Sequence, residues 1–312
     1  MLTLRSASLQ FRKCLTCNKV TIYNQYHQNH GINPIQMTFR VPSIDTSLDP
    51  NAKPIVIMHG LLGSKNNWNS LAKAIQSKTK TKVYVVDARN HGDSPHTDEF
   101  SYAHLAADVE HFLHNENIQQ AHVLGHSMGG RAMMYLALNK PDFVSSLIVV
   151  DISPVGVSPT MKHMSGLFDA MKSVDLKTLS SQPLHKVRKE VDKVLATAVD
   201  DMGVRQFILT NLKQVSPGGP IIWQCNLNSL HNQFFNHMIQ FPLPGEGTTY
   251  NGPTLFIGGG KSDFIKAEDH PGIMTLFPKA DIIYIEGAGH WVHSQKPDQF
   301  LNKVVDFYTN LS

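Results

Sequence analysis

Gly125-His126-Ser127-Met128-Gly129 lies between the apolar run His122-Val123-Leu124 and a helical pattern that starts near Gly130. A serine so placed stands at a sharp strand-to-helix turn with its hydroxyl clear of the sheet. Small residues two before and two after it leave the turn its room. A chain can build this turn only where a strand feeds straight into a helix, so the motif commits its surroundings to alternating strands and helices.

The rest of the chain carries that alternation. Apolar runs occupy Pro54–Met58, Val83–Val86, Ala121–Leu124, Ser146–Val150, Pro253–Ile257 and Asp281–Ile285. Several are continuous β-branched or aliphatic segments, the pattern of strands covered on both faces. Helical patterns lie at Ser70–Ser77, Tyr102–Leu113, Gly130–Leu138 and Gln299–Tyr308. The expected fold class is α/β, a mostly parallel, doubly wound sheet. Between Val155 and Gly247 the pattern changes to helices over Lys162–Met171, His185–Asp200, Val204–Leu212 and Asn228–Ile239. Only Pro220–Gln224 has strand character there. This stretch, at about 155–247, reads as a helical lid inserted between sheet strands. Its Met161, Met164, Leu167, Phe168, Met171, Phe207, Phe234 and Phe235 are available for a core or for an apolar pocket.

Ser127 in this setting is the candidate nucleophile. The helix N-terminus after it favours an anion nearby. Acyl transfer also needs two backbone N–H groups aimed at the developing oxyanion. Met128, just after the nucleophile, offers one, and Leu61 in His59-Gly60-Leu61-Leu62-Gly63 offers the other. His59 and His126 read as orienting or packing residues. The general base is His290, in the Gly-rich loop Gly287-Ala288-Gly289-His290-Trp291 after the last strand, with His293 as its neighbour. Two aspartates compete for the acid: Asp151 at the end of Leu147–Val150, and Asp263 in the loop after the next strand. Both loops open on the carboxyl edge of the sheet, where open α/β folds bind ligands. Either carboxylate could orient the imidazole.

The first forty residues hold Arg5, Arg12, Lys13, Lys19 and Arg40, whereas the first acid is Asp45. Residues 1–36, basic and amphipathic, read as a mitochondrial transit peptide, with the folded domain expected over 37–312. The remainder is slightly acidic and lacks a basic cluster, which argues against a nucleic-acid partner. No run of about 18 apolar residues is present, so no transmembrane segment is expected. The 3 cysteines rule out a disulfide framework, and the only cysteine besides the Cys14-x-x-Cys17 pair, Cys225, lies far along the chain, so the pair reads as incidental rather than as a zinc site. No metal and no cofactor are called for.

The segments His59–Trp68, Asp87-Ala88-Arg89-Asn90-His91-Gly92-Asp93-Ser94-Pro95, Gly125–Gly130, Val150-Asp151-Ile152-Ser153-Pro154 and Gly289-His290-Trp291 resemble the α/β-hydrolase superfamily. More narrowly they resemble the abhydrolase-domain-containing protein eleven group of mitochondrial serine hydrolases, which fungal ethanol acetyltransferases and small bacterial esterases share. The likeness covers about 37–312 and is most specific at Asp87–Pro95. It implies a triad of Ser127, Asp151 and His290, with Asp263 in reserve, and a diacylglycerol lipase acting at the sn-1 ester in the mitochondrial matrix. It also implies a protective role at the lipoylated 2-oxoglutarate dehydrogenase complex. An acyltransferase or thioesterase would use the same residues with a different acceptor or ester, and a mitochondrial complex-binding protein would use the fold as a scaffold.

Overall fold

The computed structural model describes residues 31–311, apart from 45, 46 and 163. The leader before residue 31, with its Cys14-x-x-Cys17 pair, lies outside the described residues. In chain order the body builds β1 (Phe39–Arg40), β2 (Ile55–Met58), α1 (Asn69–Thr79), β3 (Val83–Val86), α2 (Tyr102–Asn115), β4 (Ala121–His126), α3 (Met128–Asn139) and β5 (Val144–Val150). After the insertion come β8 (Thr254–Gly259), α8 (His270–Leu276), β9 (Ala280–Ile285) and α9 (Pro297–Thr309). One seven-stranded sheet runs β1-β3-β2-β4-β5-β8-β9, parallel except for β1 against β3.

Alternate residues of each inner strand face opposite sides. Val56, Met58, Val123, Leu147 and Val149 pack under α2 and α3, beside Leu105, Phe112 and Met133. Ile55, Ile57, Leu124, Ile148 and Val150 pack under α1 and α9, beside Ile75, Phe300 and Val304. Each fully buried aliphatic side chain contributes roughly 1.5–3 kcal/mol. A strand dry on both faces accepts a polar residue only where that residue has a partner, as Ser146 of β5 has in His122 of β4, and Ser127 and Asp151 sit just past the strand ends.

The packed body starts a few residues before the boundary expected at 37. Ile35 and Met37 are buried, the Ile35 N–H donates to Asp108 Oδ1 at 2.8 Å, and Arg89 Nη2 donates to the Asn33 carbonyl at 3.0 Å. Residues 33 and 35, ahead of that boundary, thus bond to the body. The short β1, too brief to show a pattern, forms the antiparallel edge.

The insertion holds α4 (Met164–Ser173), α5 (Leu184–Leu195), α6 (Met202–Leu209), the hairpin β6 (Leu212–Gln214) with β7 (Ile221–Trp223), and α7 (Leu227–Gln233), which widens into a π turn over Phe234–Met238. The helix expected over Val204–Leu212 ends at Leu209, because Leu212 pairs with Trp223. The helix expected over His185–Asp200 ends at Leu195. The strand character at Pro220–Gln224 belongs to this small antiparallel hairpin, remote from the main sheet.

Candidate active site

Ser127 directly follows β4 with φ 53° and ψ −116°. A non-glycine residue held there costs of order 1–3 kcal/mol and needs enforcement from its surroundings. The Ser127 N–H donates to the Val150 carbonyl at 2.9 Å, and its own carbonyl accepts from Arg131 in the first turn of α3. The two flanking glycines are obligatory. A Cβ on Gly125 would lie 2.2 Å from the Gly129 carbonyl oxygen, and one on Gly129 would lie 2.5 Å from that of Met58. Strand, helix and neighbouring strand thus touch backbone to backbone at the elbow.

The three sequence candidates are brought together. Ser127 Oγ lies 3.0 Å from His290 Nε2, and His290 Nδ1 lies 2.8 Å from Asp151 Oδ2. Asp151 directly follows β5 with φ 50° and is fully buried. It also accepts from the Gly259 N–H at 2.8 Å and from the Ser262 hydroxyl. These neutral donors and the imidazole share the charge of a carboxylate fully shielded from solvent. The His290 ring lies flat on Phe264, 3.6 Å between centroids. With Nδ1 donating to Asp151, Nε2 presents its lone pair to the serine hydroxyl, the tautomer a base requires.

Asp263, the competing acid, is turned elsewhere. It accepts from Ser158 Oγ at 2.6 Å and from Thr160 Oγ1 at 3.3 Å, both at the start of the insertion. Among the described residues it forms no hydrogen bond or ion pair with His290.

His126 and His293 pack around His290, with ring centroids 4.8 Å apart for His126–His290 and 4.5 Å for His126–His293. Burial pushes His126 well below the ordinary imidazole range and His293 down to about 3, the latter stacked on Trp68. Both are therefore neutral at pH 7, so an imidazolium formed at His290 faces no like charge. His126 Nε2 donates to the His290 carbonyl at 2.9 Å and steadies the loop. His59 Nδ1 donates to the Gly60 carbonyl at 2.8 Å, while its Nε2 accepts from the Ala88 N–H at 3.1 Å. Both histidines expected to orient or pack do so.

Leu61 and Met128 line the same cavity as Ser127. That cavity has a volume of about 350 Å³. Its walls are mostly apolar, built by Met161, Met164 and Leu167, by Phe207 and Ile208 of α6, and by Phe234 and Met238 of the π turn, with Thr160, Asp200 and Asp201 also on the lining. Tyr102, Ile152 and Trp291 complete it from the body. Phe168 and Met171 are fully buried core residues instead, and Phe235 is exposed. Sequence alone could not separate these roles, because all eight positions share one composition and differ only in the direction each helix turns them.

A profile of the α/β-hydrolase fold matches residues 53–196. The mouse sn-1-specific diacylglycerol lipase ABHD11 is 42% identical over 280 residues, covering 90% of this chain and 87% of that one. The chain belongs to the ABHD11 group of α/β-hydrolases. Ethanol acetyltransferase 1 of Cyberlindnera jadinii is 30% identical, with coverage of 83% and 81%. A solved marine microorganism esterase is 34% identical with a TM-score of 0.78, covering 88% of this chain and 99% of that one.

In this α/β-hydrolase the segment Asp87–Pro95 has a function that its motif alone did not disclose. Buried Asp87 accepts from the Lys65 N–H at 2.6 Å, from Lys65 Nζ and from the Asp93 N–H at 2.9 Å. His91 Nε2 accepts at 3.1 Å from the N–H of Leu62, which follows Leu61; Leu62 has φ 59°. The Asn90 carbonyl accepts from the Asn226 N–H at 2.9 Å, and Asp93 Oδ1 pairs with Lys213 Nζ at 2.9 Å. One side of the segment therefore shapes the Leu61 loop and the other holds the lid. Leu62, Asn90, Ser127 and Asp151 are four of the six non-glycine residues with positive φ among those described. All four lie in loops leaving the carboxyl ends of β2 to β5, so backbone strain is concentrated around the site.

Proposed function

We propose that the chain hydrolyses carboxylic esters of apolar acyl chains through an acyl-enzyme on Ser127. His290 Nε2 takes the hydroxyl proton as Ser127 Oγ attacks the ester carbonyl. Asp151 stabilises the imidazolium that results. The N–H groups of Leu61 and Met128 receive the oxyanion. His290 then gives its proton to the leaving alcohol, takes one from a water that attacks the acyl carbonyl, and returns it to Ser127 Oγ as the bond to the acyl carbon breaks and the acid departs. The observation that carries this reading is the Ser127–His290–Asp151 relay opening onto an apolar cavity. The similarity to the mouse enzyme supports diacylglycerol as substrate, cleaved at the sn-1 ester. Hydrolysis of diacylglycerol labelled in its sn-1 chain, compared with Ser127→Ala, tests it. Release of labelled fatty acid by the wild type alone is expected, and equal release by both would refute the assignment.

A second reading is favoured by the similarity to the ethanol acetyltransferase: an alcohol replaces water as the acceptor. Adding ethanol to the assay tests it through the appearance of ethyl esters. We further propose import into the mitochondrial matrix, supported by the acid-free basic leader. Asn33 and Ile35 engage the core, so the cut falls ahead of them, and N-terminal sequencing of the cellular protein checks this. Binding to the 2-oxoglutarate dehydrogenase complex, implied by the sequence resemblance, is a separate proposal that co-purification from mitochondria tests.

A further inference from the structure

Arg131 sits one turn into α3, four residues after Ser127, and is fully buried. Among the described residues it forms no ion pair. Its guanidinium is instead spent on carbonyls. Nε donates to Ser153 at 3.0 Å and Nη2 to Gly156 at 2.7 Å, both where the chain enters the insertion. Nη1 donates to Ile239 at 2.8 Å, with Met238 at 3.4 Å, at the far end of the insertion's last helix. Tyr102 donates its hydroxyl to the same Met238 carbonyl at 2.7 Å, and its ring lies 6.0 Å from the guanidinium carbon.

A buried charge without a counter-ion is costly unless every donor is satisfied. Here one planar fork reaches two chain segments that are far apart in sequence and, among the described residues, share no backbone hydrogen bond of their own. Lysine, a compact charge with three donors, could not span both. The segments are also not incidental to the site: Met238, Ile152 and Tyr102 line the cavity beside Ser127.

We propose that Arg131 is a positioning residue that clasps both roots of the lid insertion to the nucleophile helix, and so fixes the acyl-binding wall relative to Ser127. This rests on the ester-hydrolase reading above for its effect on turnover, but not for its effect on the lid. A long acyl chain must lie along the wall that Arg131 holds. An acetyl group ends near Ser127 and does not reach it. Arg131 therefore determines selectivity for chain length rather than the chemistry of acylation.

The test uses the full chain and p-nitrophenyl acetate and dodecanoate. Arg131→Lys should lower kcat/KM for the dodecanoate about tenfold more than for the acetate, mostly through KM. Tyr102→Phe, which removes one hydroxyl and spares the core, should shift the ratio in the same direction by less. Arg131→Met should exceed both, and if it fails to fold the other two variants carry the comparison. Hydrogen exchange gives a readout independent of turnover. Exchange in the segments around 153–156 and 238–239 should rise together in Arg131→Lys. Equal loss on both esters, or faster exchange at one root only, would overturn the clasp. A wild type that cleaves neither ester would contradict the hydrolase reading, while the exchange measurement would still decide the clasp.

Discussion

The reacting residues and the walls of the cavity are held in place by different means. Ser127 and Asp151 directly follow β4 and β5, and His290 lies in the loop after β9. Their positions are set by strand ends, backbone strain and close backbone contact. Apart from the backbone bond of Asn226 to Asn90, the lid is held mostly through side chains across long sequence distances: Asn226 to Asn90, Lys213 to Asp93, Asn211 Nδ2 to the Leu62 carbonyl at 2.7 Å, and Ser158 to Asp263. Chemistry placed by the backbone has little freedom to shift, whereas a wall tied by exchangeable side-chain bonds can be refitted to another acyl chain or acceptor. A lipase and an acetyltransferase among the relatives are what such a division would allow.

The division can be broken most severely at Ser127. Its replacement by Ala should reduce ester hydrolysis by several orders of magnitude and leave the melting temperature near that of the wild type, leaving residual catalysis of only about 10³–10⁴ over water. Turnover close to normal in a folded variant would detach the elbow from the chemistry. Gly129→Ala tests the backbone contact itself. With its Cβ 2.5 Å from the Met58 carbonyl oxygen, it should cost about 1–3 kcal/mol or more of stability and most of the activity, measured by urea denaturation. A stable, active Gly129→Ala protein would show that the elbow has slack.

Acid should weaken the sheet half. Burial holds His91 and His293 at about 3 and His122 at about 4. All three are neutral in the folded chain and bind protons on unfolding below about pH 6.5. Stability is therefore fully present above that pH and is lost as pH falls toward 4. Asp108, lifted to about 6 by burial against the opposing effect of Arg89, holds its extra proton in the folded state and offsets part of the loss. Urea midpoints at pH 7 and pH 5 should fall in that order, and equal midpoints would remove the histidines as the cause. The smallest effect belongs to the lid. Asn226→Ala removes the helix cap on α7 and the bond to Asn90. It should cost roughly 1–2 kcal/mol and change acetate turnover less than dodecanoate turnover.

The same division explains what could be read from the chain alone. The elbow and the loop bearing His290 were legible because a strand end, a glycine pair and a polar residue are all local signals. The choice between Asp151 and Asp263 was not legible from the residues themselves, since both follow buried strands on one sheet edge. It depends on Ser262 and Gly259 closing around one and on Ser158 and Thr160 engaging the other. Arg131 lies within an apolar helical stretch, where nothing in the spacing marks it as a donor to carbonyls more than 100 residues away. The hairpin Leu212–Gln214 with Ile221–Trp223 is too short for alternation to register, so the helical pattern before it extends across Leu212 in the sequence.

The most direct test sets the two aspartates side by side. The central claim is that Asp151 serves the imidazole while Asp263 serves the lid. With kcat measured on one short-chain ester, Asp151→Asn should lose on the order of 10⁴-fold, as removal of the orienting charge does in other serine hydrolytic triads. Asp263→Asn should lose less than about tenfold, corresponding to under about 1.4 kcal/mol in the barrier. A crippled Asp263→Asn beside a nearly normal Asp151→Asn would contradict the claim and exchange the two roles.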